Sequence, residues 1–172
     1  MIRILLLVVI LLPFGAKSAH EPTERELEMI EEINFARTKP HVYYKFINDY
    51  IIEKRLNGDD YRVAKALESE MKRMRPLKAL AFSSEMYQNT YKYGDEMQEK
   101  GVVEHSDLPY AENISAGISS VRMTVVGLLI DLGIPSRGHR KNLLNPGFSK
   151  VACREVPGKV GNFKYVFIQT FR

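Results

Sequence analysis

The order in which the hydrophobic period changes along the chain limits the fold most. As far as Gly101, apolar residues recur every three or four positions. Only from Lys150 onward do they alternate in runs long enough for paired strands. Helices first and a sheet late predict an α+β fold with helices packed on a small antiparallel sheet.

Element by element, Leu27, Ile30, Ile33 and Ala36 predict a helix opened by Pro22-Thr23 and stopped at Thr38-Lys39-Pro40. Glu24 and Glu26 suit its positive end. Pro40 begins a second helix to about Ile52, with Val42, Phe46, Tyr50 and Ile51 as its apolar stripe. Asn57-Gly58-Asp59 breaks it, and a charged, solvated helix follows over about residues 61–74. Residues 76–82 form an extended connector. Ser83 or Ser84 then caps a helix closing at Gly101, with Met86, Thr90, Tyr93 and Met97 facing inward. Residues 111–114 read as a short strand, 121–132 as a helix and 138–144 as a helical turn. Two strands end the chain, at Lys150–Val156 and at residues 163–171.

Residues 1–18 have the layout of an export signal: Arg3, nine apolar residues over 4–12, then Ala16-Lys17-Ser18 with small residues for cleavage after Ser18. The apolar run is too short for a permanent membrane anchor. The expectation is a secreted protein, extracellular or periplasmic, with one domain over residues 19–172. The 25 Lys and Arg against 21 Asp and Glu give +4, or 4 − 2 = +2 once Arg3 and Lys17 are removed. That excess is too small and too evenly spread for nucleic acid. Cys153 is the one cysteine, so no internal disulfide can form and the hydrophobic core must hold the fold. In the strand-like run Val151-Ala152-Cys153-Arg154-Glu155 it reads as a small buried hydrophobe, with a reactive thiol as the alternative.

Of the four histidines, His20 falls at the loose end of the processed chain and His41 on a solvent-facing helix start. His105, Glu112 seven positions later and His139 thirty-four positions after His105 remain. Two imidazoles and a carboxylate suffice as protein ligands for Zn²⁺ or a similar ion. Spacing equally allows a surface histidine and a backbone-bonded glutamate, because no HExxH-type pattern is present. Ser106 and Ser136 lie near the histidines in sequence, which keeps serine hydrolysis as an alternative without a GxSxG elbow. Asn113-Ile114-Ser115 matches a glycosylation acceptor but falls inside a strand. Arg137, Arg140 and Lys141 could attract an anion or could cap a helix.

The stretches Glu31-Glu32-Ile33-Asn34-Phe35-Ala36-Arg37, residues 76–83, His105-Ser106, Ala111-Glu112-Asn113-Ile114, residues 138–146 and Phe148-Ser149-Lys150-Val151 occur in an order that resembles the CAP superfamily. This is the SCP-like extracellular, or cysteine-rich secretory/antigen 5/pathogenesis-related 1, domain. The likeness spans nearly the whole mature chain and is nearest the disulfide-poor bacterial branch. It implies a three-layer α-β-α sandwich whose cleft carries two histidines and two acidic residues. His105, Glu112 and His139 match three of these positions. The family's fourth is a glutamate on the intervening helix, commonly near a Trp; this chain has no Trp and offers Asp131 there. The resemblance implies a divalent-metal-assisted module, Zn²⁺ first among the ions, for a small-molecule, lipidic or protein ligand, and a monomer. A metal- or serine-dependent hydrolase acting on peptide or envelope material is the rival reading.

Overall fold

The computed structural model describes residues 19–172. The export signal expected over residues 1–18 lies outside them. The elements run α1 (Glu24–Thr38), α2 (Pro40–Tyr43), α3 (Lys45–Glu53), α4 (Gly58–Arg73), β1 (Ala81–Phe82), α5 (Ser84–Lys100), β2 (Ala111–Ala116), α6 (Val121–Ile130), α7 (Gly138–Leu143), β3 (Lys150–Val156) and β4 (Val166–Phe171). Among the described residues no helix is long and apolar enough to cross a membrane.

Local chemistry sets the helix ends. Thr23 and Glu26 form a reciprocal capping box at the start of α1, each bonding the other's backbone N–H. Ser83 caps α5, and Gly101 ends it at φ 67°, a left-handed conformation that glycine adopts without steric cost. The second predicted helix is two, because the chain turns at Tyr44. Tyr43, Ile47, Tyr50 and Ile51 face the core while Val42 and Phe46 are half-buried. On α1, Ile30, Ile33 and Ala36 are buried as expected, whereas Leu27 lies on the exposed side.

The sheet order is β1-β3-β4-β2. β3 pairs with β4, and β4 with β2, antiparallel as expected. The connector adds a difference: Ala81 and Phe82 pair parallel to Lys150 and Val151, so the sheet is mixed at one edge. Strand alternation divides the core. Val151, Cys153, Phe167 and Phe171 pack with Met29 and Ile33 of α1 and Val125 and Leu129 of α6. On the other face Ala152 meets Met86 and Tyr87, and Val156, Val166 and Ile168 meet Tyr93 and Met97, all from α5. The result is an α-β-α sandwich with β2 as one edge of the sheet.

A buried charged network ties the layers together. Glu26, with no exposed surface, accepts hydrogen bonds from Tyr87 Oη (2.7 Å), Arg154 Nη1 (3.2 Å) and the Glu155 amide (2.9 Å). Arg154 also reaches Asp95 at 3.2 Å and lies over the Tyr91 ring, 3.8 Å from its centroid. His20 is docked rather than loose. Its ring stacks on Tyr91 at 3.7 Å, and its backbone exchanges two hydrogen bonds with the Gln88 side chain (3.0 and 2.8 Å). An aromatic face on α5 therefore holds the start of the described chain.

Candidate functional site

His105 lies in the loop beyond α5, and Glu112 is the second residue of β2. Glu112 Oε1 meets His105 Nδ1 at 2.7 Å. Ser106 fixes the carboxylate from both ends: its amide donates to Oε1 (3.0 Å) and its hydroxyl to Oε2 (2.8 Å). The glutamate side chain is 7% exposed and the histidine ring 64%. A carboxylate facing Nδ1 calls for the proton there, which leaves the Nε2 lone pair turned to solvent. His105 opens onto a polar hollow of about 610 Å³ whose walls include Lys92, Tyr93, Glu96, Lys100, Glu104 and Asp107. Burial, then the charges of Glu112 and Glu104, push the Tyr93 phenol up to about 12.

The second pair is built from helix ends. Asp131 is the C-cap of α6 at φ 60°, ψ 50°, a left-handed conformation that Asp tolerates better than most residues. Its Oδ1 meets His139 Nδ1 at 2.7 Å, while Oδ2 accepts from the His139 amide (3.0 Å) and the Arg140 amide (3.4 Å). Asp131 thus closes a helix end and holds a histidine. Its short side chain suffices because α7 begins directly against the end of α6. The aspartate side chain is 1% exposed and the histidine 22%. Both residues border a second, more apolar groove of about 280 Å³ beside β2.

Edge strand β2 joins the pairs. Asn142 of α7 donates to the Glu112 carbonyl (3.2 Å) and to Asn113 Oδ1 (2.9 Å). Asn113 donates to the His139 carbonyl (3.2 Å) and to Gln169 (3.3 Å). Successive strand residues point to opposite faces, so Glu112 turns toward α5 and Asn113 toward α7. The structure therefore couples His105 to Glu112 and His139 to Asp131, and anchors the pairs to adjacent positions of one strand. Among the described residues no group of three or more His, Cys, Asp or Glu is arranged to hold a metal ion. Both carboxylates are spent on imidazole Nδ1 atoms and amides, so the donors left for an ion are the two Nε2 atoms.

The neighbouring candidates resolve by their contacts. Ser106 gives its hydroxyl to Glu112, and among the described residues no serine hydroxyl bonds either imidazole. Asn113 is fully buried, so its acceptor motif is out of reach in the folded chain. Arg140 caps the last carbonyls of α6 through Leu129 O (2.6 Å) and Ile130 O (3.1 Å), and Arg137 bonds Asp131 O. Cys153 is buried and unpaired by disulfide, and burial pushes its thiol well above the ordinary range. The parts that sequence reasoning passed over are Asn142, Gln169 and the supporting role of Ser106. Asn142 stood inside the quoted stretch 138–146 without being singled out, while Gln169 carried no local signal at all.

The sequence pattern of the cysteine-rich secretory protein family (CAP) matches residues 32–171, a span that takes in both histidine–carboxylate pairs. A search among curated proteins found no match.

Proposed function

Because the chain belongs to the cysteine-rich secretory protein family, we propose that it is an exported binding module that takes a divalent ion, Zn²⁺ first, through His105 and His139. The observation that carries the reading is the shared geometry of the two pairs. Each imidazole is held at Nδ1 by a buried carboxylate at 2.7 Å, which leaves Nε2 as the outward donor. A carboxylate behind a histidine freezes its orientation and tautomer, the arrangement that metal-ligating histidines use. Two imidazoles fall short of the three protein ligands usual for catalytic zinc, so solvent or a bound ligand would complete the coordination. Bound there, the ion would supply Lewis-acid attraction for an anionic or carbonyl oxygen of the ligand. The chain's own residues orient the rings, with Ser106 locking Glu112 and the end of α6 locking Asp131. Export rests on the residue 1–18 pattern and on the usual extracellular setting of the family.

Binding is favoured over serine hydrolysis because the Ser106 hydroxyl is spent on Glu112. Isothermal titration of Zn²⁺ into the metal-free domain at neutral pH tests the proposal. Saturable heat is expected, lost in the His105→Ala/His139→Ala double variant. No heat, or equal heat from the double variant, would sink it.

A further inference from the structure

Two separate stretches of the chain lack acidic residues. Between Glu70 and Glu85 stand Lys72, Arg73, Arg75 and Lys78, with no Asp or Glu. Between Asp131 and Glu155 stand Arg137, Arg140, Lys141, Lys150 and Arg154, again with none. The fold brings these stretches together. Arg37, near the end of α1, donates to Lys78 O (3.1 Å) in the first and to Leu143 O (2.7 Å) and Asn145 O (3.0 Å) in the second. The β1–β3 pairing sets Ala81 beside Lys150. Arg140 reaches Glu70 at 3.5 Å, which brings α7 to the turn of α4 that ends in Arg73. Lys39 follows two residues after Arg37, whose carbonyl accepts from the Leu77 amide.

Most of the charge gathered here is not neutralised. Lys72 and Arg140 pair with Glu68 and Glu70, and Arg154 is buried against Glu26. Lys39, Arg73, Arg75, Lys78, Lys141 and Lys150 are exposed, and among the described residues none of them pairs with a carboxylate. None lines either hollow described above. Exposed acids collect elsewhere: Glu96, Glu99, Glu104 and Asp107 follow α5 and the loop beyond it, across the sheet from α1. Charge that is evenly spread along the sequence thus becomes, after folding, a basic pole and an acidic layer.

We infer that the basic pole docks the protein on an anionic lipid bilayer. Cations drawn from three parts of the chain, with no hollow among them, offer a small anion no enclosure. They suit a surface of mobile headgroups, because lipids move sideways to meet whatever spacing the cations have, whereas a rigid polyanion must match it. Phe82, 38% exposed and next to Ala81, adds a large apolar side chain at the margin, of the kind that settles into a bilayer interface. Repulsion of the acidic α5 layer turns the His105 hollow away from the lipid. The inference goes beyond ion binding and uses neither histidine of the site.

Co-sedimentation with vesicles tests it, in the presence of a chelator so that no ion bridges protein and lipid. Residues 19–172 should bind vesicles of equal parts phosphatidylglycerol and phosphatidylcholine, leave pure phosphatidylcholine alone, and release as salt rises from about 0.05 to 0.5 M. Arg75→Gln/Lys78→Gln and Lys141→Gln/Lys150→Gln should each weaken binding about tenfold or more. Lys159→Gln/Lys164→Gln removes the same charge beyond the opposite end of β3 and should leave binding nearly unchanged. No binding to the anionic vesicles overturns the inference. So does equal loss in all three variants, which would reduce the effect to net charge. Dextran sulfate held by the same cations while vesicles are not would also overturn it, assigning the pole to a soluble polyanion. Zn²⁺ titration reads His105 and His139 and this experiment reads neither, so either reading can fail alone.

Discussion

Glu26 carries more of the interior than its place in a first helical turn suggests. It closes the capping box of α1 and also receives Tyr87, Arg154 and the Glu155 amide, so one carboxylate joins α1, α5 and β3. Charge removal there leaves Arg154, itself 6% exposed, with only the half-exposed Asp95 as its carboxylate partner. Glu26→Gln is expected to cost about 3 kcal/mol in a denaturant titration, the lower end for breaking a buried pair from one side. A loss under about 1 kcal/mol would mean that solvent reaches the site. At the functional residues, chain motifs and family likeness brought out His105, Glu112, Asp131 and His139. Their pairing was not legible, because each hydrogen bond spans a loop or a helix junction whose path depends on packing.

At the level of elements, the charged face of α4 is an ion-pair network rather than scattered solvated groups. Glu68 is buried in the side of the helix and receives Lys65 and Lys72, while Lys65 also reaches Asn48 of α3 at 3.3 Å. Burial is the largest influence on the Glu68 carboxyl and pushes it up, but the two lysine ammoniums together outweigh it and hold it below its ordinary 4.5. A carboxyl held low in the folded state adds stability above its unfolded value and loses it as the pH falls. Glu68→Gln should therefore lower Tm at neutral pH by the equivalent of about 1 kcal/mol. The gap to the parent chain should close on acidification below 4.5. A gap constant from neutral pH to pH about 3 would refute the assignment. Element ends that depend on near neighbours were readable: Ser83, Gly101 and the stop at Lys39-Pro40. Ends set by distant partners moved. The last strand starts at Val166, not 163, because Phe163 closes a turn against Val160.

For the molecule as a whole, Cys153 is a built-in probe. It sits in the central part of β3 beneath α1 and α6, fully buried, with its thiol held protonated by that burial. Iodoacetamide should modify it only through global unfolding, so its alkylation rate and the unfolding rate from denaturant jumps should extrapolate to the same value. Faster labelling would reveal a local opening of the sandwich. What the linear chain determined is everything written in short-range spacing: an α+β class, several of the apolar faces and caps, the late strands, and the residue types of the site. These follow from backbone periods of 3.6 and 2, which act between residues a few positions apart. Tertiary structure alone decided that β1 joins the sheet in parallel, that α5 covers one face by itself, and that β2 is left as an edge between two histidine–carboxylate pairs. Those outcomes depend on which distant surfaces bury each other best, a competition that no local stretch of sequence contains.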